Sequence, residues 1–386
     1  MSSKLKVLQV IPRLGYGGAE TGCYDLAHYL AENKVGSFIV TSGGELIKYL
    51  NKKKVKLIRL PVQSKNPILM LINSIILSIV ILIFNIDIVH ARSRAPAWSC
   101  LIATRLTRRK FVTTFHGTYN FNNKIKKFYN SVMLRSDLVI AGSNFIFSHI
   151  NEKYSDYVSG IKKFMVIFRG INTEYFHSTK INHKDEEKII KQWGIKNDRP
   201  IILLPGRLTS WKGQELFIEA LNRINEHYKF PFYAIILGSD QGRKIYKKKL
   251  ESLVDRYRLH ESLKFIEKCE LMPIAYKVSR IVISASIEPE AFGRVSVEAQ
   301  SMEKPIIASN IGGSIETIID NKTGFLFENK NVEKLADKIV HVLNLDRQTL
   351  ESMGAEARKH VLKKFEIEKM CFSTYTEYKK LFKKIN

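Results

Sequence analysis

Two glutamates, Glu290 and Glu298, bracket the stretch EPEAFGRVSVEAQ at 288–300, with Phe292 and Gly293 between them. A carboxylate accepts two hydrogen bonds from a vicinal diol, so one glutamate could hold a sugar and the other a ribose. Gly293 stands where a loop passes into a helix, and its missing side chain lets a ligand approach the free N–H groups of the helix start. The helix dipole would stabilise acidic residues there even with no ligand. Upstream, PGRLTSWKGQE at 205–215 sets Arg207 and Lys212 five apart in a loop entering a helix. A guanidinium fork and an ammonium on one anion suit a diphosphate. The Walker A spacing is absent, so this is not a P-loop. LGYGGAE at 14–20 places Gly17 and Gly18 in a turn where the backbone can approach a phosphate, or simply turn tightly. In TTFHG, His116 sits at a strand end and can donate to or accept from a sugar hydroxyl. Arg92 and Arg94 of ARSRAPAW are candidates to contact an anionic or lipid-linked acceptor. The sequence has no D-x-D and no His or Cys cluster with ligand spacing, so neither a metal nor another cofactor is expected. A bound diphosphate would then be neutralised by Arg207, Lys212 and helix dipoles.

These residues need elements to hold them. Short runs rich in Val and Ile (KVLQVI, SFIVTS, VKLIRLP, DIVHA, FVTTFH, DLVIAGS) alternate with helical segments. That rhythm predicts a parallel sheet with helices on both faces. A polar stretch, HSTKINHKDEEKIIKQWGIKNDRP, follows, and the rhythm restarts with IILLPGR, YAIILGS, LKFIEK, RIVISAS and PIIAS. Two doubly wound units are therefore expected, with ligands at the carboxyl ends of the strands near each switch point.

At 386 residues the chain suits two or three domains. Its 45% hydrophobic content is that of a globular protein. Four scattered cysteines without a C-x-x-C pair argue against a disulfide framework and fit a reducing cytosol. The N-terminal apolar run is too short for a signal peptide.

The net charge of +25 is uneven: residues 1–180 carry +17 and the remainder +8. A basic half suggests nucleic acid, an anionic membrane surface or phosphorylated substrates, although solvated lysines need no partner. Nucleic acid is disfavoured, because the basic residues fall in short separate groups at 52–54, 108–110 and 126–127 without interleaved aromatics. An NAD-dependent sugar oxidoreductase is disfavoured too. Glu20 stands where a dinucleotide fingerprint needs Gly or Ala, and SFIVTSGG ends without a ribose-binding acid. The uncharged run ILMLINSIILSIVILIF at 68–84 is slightly short for a span and would cut the sheet in two. It is expected to be a buried or interfacial helix with Asn73, Ser74 and Ser78 as a narrow polar strip.

The motifs taken together resemble the retaining group 1 glycosyltransferases of family 4. The resemblance runs through GGAE at 17–20, DIVHARSRAPAW at 87–98, TTFHG at 113–117, LLPGRLTSWKGQ at 203–214, GSDQGR at 238–243 and PEAFGRVSVEAQ at 289–300. It looks like the bacterial surface-polysaccharide or lipopolysaccharide type. The resemblance implies the GT-B fold, two Rossmann-like domains facing across a cleft. The expected divisions are an acceptor-binding domain over 1–178, a nucleotide-sugar domain over 179–364, and a C-terminal helix over 365–386 that returns to the first. It implies that Glu290 contacts the donor sugar near its reacting carbon and Glu298 the ribose. Arg207 and Lys212 would grip the diphosphate under the Gly17–Gly18 turn. Phe292, Gly293, Arg294 and Val295 would present backbone N–H groups, and His116 would support the developing oxocarbenium charge. A phosphorylase or a sugar-1-phosphate-releasing enzyme on the same fold fits these motifs as well. The expected reaction moves a hexose from a nucleotide-diphosphate sugar, a UDP-sugar favoured, to a glycan or lipid-linked acceptor. The enzyme would be cytoplasmic, peripheral on the inner face of the membrane. Asn172, Glu267 and Glu303 depart from the family pattern, the last two where glycine is usual.

Overall fold

The computed structural model describes residues 4–196 and 199–383. It divides the chain into two compact units, Met1–Gly170 with Ile367–Asn386, and Ile171–Glu366. The first division falls eight residues before the position read from the sequence, because Ile171 already pairs with Glu366 in the second unit.

The first unit is a seven-stranded sheet of β1 (Lys6–Val10), β2 (Gly36–Thr41), β3 (Val55–Arg59), β4 (Ile88–Ala91), β5 (Lys110–Phe115), β6 (Leu138–Ala141) and β7 (Phe164–Val166). The strands are ordered β3-β2-β1-β4-β5-β6-β7, and every pair is parallel. β4 and β6 are buried at every position, and apart from His90 they read as apolar runs. The order reverses between β1 and β4, so the carboxyl ends of these strands form the switch point. Four helices matter here: α1 (Gly18–Glu32), α2 (Pro67–Phe84), α3 (Arg94–Thr107) and α4 (Lys124–Ser131). α1 buries Cys23, Leu26, Ala27 and Leu30, the i, i+3, i+4, i+7 stripe of a helix on a sheet. α2 begins at Pro67, capped by the Asn66 side chain, and ends at Asn85 in the left-handed region. It is long and apolar enough to cross a membrane by length and composition alone. It nevertheless joins β3 to β4 of one sheet and packs along α3.

The C-terminal helix Ile367–Phe382 belongs to this unit. Met370, Cys371, Tyr378 and Leu381 join Leu5, Val7, Leu26 and Leu30 in one core cluster. Tyr378, fully buried, lies 2.5 Å from Nδ1 of His90 on β4, and Lys163 pairs with Glu377.

The second unit is a six-stranded parallel sheet of β8 (Ile201–Pro205), β9 (Tyr233–Leu237), β10 (Leu263–Ile266), β11 (Ile281–Ser284), β12 (Ile306–Ser309) and β13 (Phe325–Phe327). The order is β10-β9-β8-β11-β12-β13, with its switch point between β8 and β11. Ile202, Leu204, Phe217, Leu221 and Ile283 anchor its core. The four cysteines are free thiols.

Candidate active site

In the second unit the two loops that flank the switch point are clamped together. Gly213 has φ +72°, and a Cβ there would overlap the Ala285 carbonyl oxygen, so only glycine lets the β8 loop lie against the end of β11. Ile287 N–H donates to the Trp211 carbonyl at 2.8 Å and closes the clamp. This contact brings Lys212 Nζ to 2.8 Å from Glu290 Oε1, with both side chains nearly buried. Ser286 Oγ donates to the same oxygen at 2.5 Å, leaving Oε2 outside both bonds. Burial alone would raise the Glu290 carboxyl, but Lys212, Ser286 and Arg207 hold it below the usual carboxylate range. Glu290 is therefore ionised near neutrality and sheltered from solvent. Arg207 is exposed. Its carbonyl accepts from Gln214 Nε2 at 2.9 Å, and Tyr246 OH donates to Gln214 Oε1 at 3.2 Å.

Glu290 is held from behind as well, since Gly313 N–H donates to its carbonyl at 2.7 Å. Phe292 is buried edge-on against Phe365, with ring centroids 5.5 Å apart. Gly293, at φ +80°, caps the helix Arg294–Ser301 without a side-chain bond. The first N–H groups of this helix, those of Arg294 and Val295, have no intrahelical acceptor and define an electropositive end. Glu298 is buried, and both its oxygens are engaged. Arg294 Nε lies 2.5 Å from Oε1, and Tyr276 OH lies 2.7 Å from Oε2. Burial and then Glu298 push the Tyr276 hydroxyl well up, so it stays a donor. Glu298 is thus a pre-oriented carboxylate, and a diol reaching it must displace one of these donors. Glu303 takes φ +58°, the left-handed region that favours glycine, which fits the glycine that the sequence resemblance leads one to expect there.

In the first unit Gly17 caps α1 without a side-chain bond, and the Glu20 carboxylate lies where a Cβ on Gly17 would be. Against Gly18 lies the guanidinium of Arg169, which a Cβ there would meet. His116 directly follows β5. Both ring nitrogens are buried without a hydrogen-bond partner among the described residues. Burial, then Arg169, Arg92 and His90, lower its pKa well below the ordinary histidine value. The ring is neutral and has one N–H and one lone pair to offer. It can therefore meet developing charge as a dipole and not as a cation.

Arg92, a candidate acceptor contact, is buried and bonded within the first unit. It is 4% exposed, and its Nε donates to Gln9 Oε1 at 3.0 Å. Gln9 in turn donates to the Cys23 carbonyl at 3.1 Å. The turn after β4 runs inward beside β1, which makes Arg92 part of the wall behind His116. Arg94, the first residue of α3, is half-buried, stacks over Tyr119 at 4.4 Å and donates to Asn130 Oδ1 at 2.8 Å.

Sequence reasoning missed Ser286, Gln214, Tyr276 and Arg169. Ser286 had a local signal, lying four residues before Glu290 on the same strand exit. Arg169 follows a strand as His116 does, but nothing local points it toward Gly18. Among the described residues no group of three or more His, Cys, Asp or Glu could hold a metal ion.

The family model for glycosyl transferases group 1 matches residues 185–360, and that for glycosyltransferase family 4 matches 16–175. A glycosyltransferase from Rickettsia africae superposes with a TM-score of 0.90 at 38% identity, covering 99% of each chain. The chain belongs to the group 1 glycosyltransferases. Its two parallel-sheet units are those of the GT-B architecture. Anabaena HepE, solved in complex with UDP and glucose, has the same fold at 22% identity, with a TM-score of 0.82 over 97% of this glycosyltransferase and 100% of HepE. The capsular polysaccharide biosynthesis glycosyltransferase CapM of Staphylococcus aureus is 29% identical over 51% of this chain and 49% of its own.

Proposed function

We propose that this glycosyltransferase is retaining and metal-independent, and moves a hexose from a UDP-sugar to a glycan or lipid-linked acceptor in cell-envelope polysaccharide synthesis. It would work in the cytoplasm, peripheral on the inner face of the membrane. The observation that carries the donor half is the sheltered Lys212–Glu290–Ser286 group beside the Gly293 helix start. Arg207, Lys212 and the N–H groups of Arg294 and Val295 supply positive potential where a leaving diphosphate gains charge. Glu290, ionised and fixed, accepts hydroxyl hydrogen bonds from the sugar through its second oxygen. Glu298 is assigned to the ribose.

In the reaction the bond from sugar C1 to the diphosphate oxygen breaks through an oxocarbenium-like state. The acceptor oxygen bonds C1 from the leaving-group face, and its proton passes to a diphosphate oxygen. Glu290 Oε1 is already engaged by Lys212 and Ser286, which favours a positioning and electrostatic role over a covalent one. On the first unit, His116 offers its neutral ring to a sugar hydroxyl, the Gly17–Gly18 turn offers backbone amides to phosphate, and Arg94 faces the acceptor, with Arg92 behind it. HepE with UDP bound and the capsular role of CapM support the donor and the pathway.

The test is thermal denaturation with UDP, GDP, ADP and CMP, each in chelator and in Mg²⁺, on the wild type and on Glu298→Ala. A ligand at 100-fold over its dissociation constant stabilises by roughly 2.7 kcal/mol. UDP is expected to raise the midpoint in chelator, with the shift lost in Glu298→Ala. A shift only with Mg²⁺, or only with another nucleotide, would overturn the corresponding part of the reading.

A further inference from the structure

α2 is apolar on both faces: Leu77, Val80 and Ile81 are buried, and the outward face is apolar as well. Its polar residues, Asn73 and Ser74, are buried. Asn73 Nδ2 donates to the Pro61 carbonyl at 3.2 Å, while Ser74 and Ser78 bond back to the helix's own carbonyls at 2.7 and 2.8 Å. The expected polar strip therefore faces inward. Isoleucines and leucines face outward, with Ile68 69%, Leu82 62% and Ile83 70% exposed and Leu71, Ile72, Ile75 and Ile79 along the same face. No charged residue interrupts residues 67–84. A helix facing water does the opposite.

The apolar surface continues across neighbouring helices. Ser99 of α3 donates to the Met70 carbonyl of α2 at 2.9 Å, and Trp98 of α3 packs on Phe128 of α4 at 5.4 Å. Leu106 of α3 and Ile125 and Phe128 of α4 are exposed as well.

At the carboxyl end of α2 this surface meets a basic groove of about 690 Å³ at the amino edge of the sheet. Arg109 links the two, donating to Asn85 Oδ1 at 2.7 Å. Arg105, Arg108, Lys110, Arg135 and Lys162 line the rest, against Asp137 and Asp156. Lys162 is paired with Asp137, whereas Arg105, Arg108 and Lys110 form no ion pair with a carboxylate among the described residues.

We propose that α2 lies in the plane of an anionic bilayer, with its outward isoleucines and leucines among the acyl chains and the groove around Arg105 and Arg108 holding lipid headgroups. The inference rests on the reading that the enzyme works at a membrane, and it names the surface that binds there. One observation selects a bilayer as the occupant: an uncharged helix with a basic groove at its end matches the two layers of an anionic lipid surface. A spanning orientation is excluded, since β3 and β4, at the two ends of α2, lie in one sheet.

The experiment is co-sedimentation of the full chain with vesicles of phosphatidylcholine alone or mixed with phosphatidylglycerol, at low and high salt. Sedimentation velocity without lipid gives the oligomeric state. Variants are Ile75→Gln with Ile79→Gln, Arg105→Gln with Arg108→Asn, and a control, Lys247→Gln with Lys248→Gln. The wild type is expected to bind anionic vesicles in a salt-sensitive way. The isoleucine pair should weaken binding roughly a hundredfold without lowering the thermal midpoint. The arginine pair should weaken it about tenfold and remove most of the salt dependence, and the control should do neither. Undiminished vesicle binding by the isoleucine pair overturns this surface while the peripheral reading stands. A wild type that binds no vesicle and stays monomeric overturns both. A wild-type dimer dissociated by the isoleucine pair assigns the face to a second copy and overturns the proposal.

Discussion

The two carboxyl-edge clusters are built on opposite electrostatic plans. In the second unit charges are already matched: Lys212 with Glu290, Arg294 with Glu298, each carboxylate also holding a hydroxyl. In the first unit His116 has two buried nitrogens without partners among the described residues, and burial, then Arg169 and Arg92, depress its basicity. One cluster is complete and rigid before anything binds. The other keeps unmet hydrogen-bonding capacity, which costs stability until a ligand meets it. Both plans occur on the same parallel-sheet scaffold, so the difference lies in the loops and not in the fold.

Removing the central carboxylate should break the contrast most severely. Glu290→Ala is expected to lower turnover on the order of 10³-fold, because it deletes the group that fixes Lys212 and one acceptor for the sugar. Single-turnover kinetics with saturating UDP-sugar would measure this. A loss below about tenfold would mean the paired cluster is structural only.

Lys212→Ala comes next, with turnover down on the order of 10²-fold and stability down by about 3 kcal/mol through the carboxylate left behind. The pH dependence carries a sign. In the wild type the Glu290 pKa lies below the usual value. The stability its ionised form contributes is complete above that usual value and is lost only as pH falls through the lower folded one. Without Lys212, burial dominates and the carboxyl moves up, so the acid limb of activity should move to higher pH, while the stability that Glu290 loses on acidification should vanish and reverse, because a carboxyl with a raised folded pKa is favoured as pH falls. Paired pH–rate and pH–melting profiles would detect it, and an unmoved acid limb would contradict the pairing.

The smallest effect sharpens the other side. His116→Phe should reduce turnover roughly fivefold, by about one hydrogen bond, while raising the thermal midpoint by about 2–4 °C as two orphaned nitrogens disappear. A lower midpoint would show that those nitrogens are satisfied in solution, and the contrast between the clusters would fail.

Much of this was legible in the sequence. The strands within DIVHA and RIVISAS are buried at every position, which is why they read as mostly apolar runs of a parallel sheet. Gly293 was read as the glycine of a helix start, and it has positive φ. What could not be read depends on partners distant in the chain. Tyr276 meets Glu298 from another helix, and Arg169 reaches Gly18 across the sheet edge. The orientation of α2 could not be read for a simpler reason. Its three polar residues marked a strip without a direction, and the Pro61 carbonyl needed a donor, which Asn73, turned inward, supplies.

The C-terminal helix Ile367–Phe382 imposes an order on synthesis. Leu26, Leu30 and Val7 are made before the second unit, yet the Met370, Tyr378 and Leu381 side chains that cover them are made after it. The second unit, Ile171–Glu366, is continuous in sequence and can fold as it emerges. The first must wait, with an apolar strip uncovered, until this helix has followed. The helix therefore acts as a stopper fitted after the second unit, and a ribosome that stalls short of Tyr378 releases a chain with one finished unit and one adhesive one.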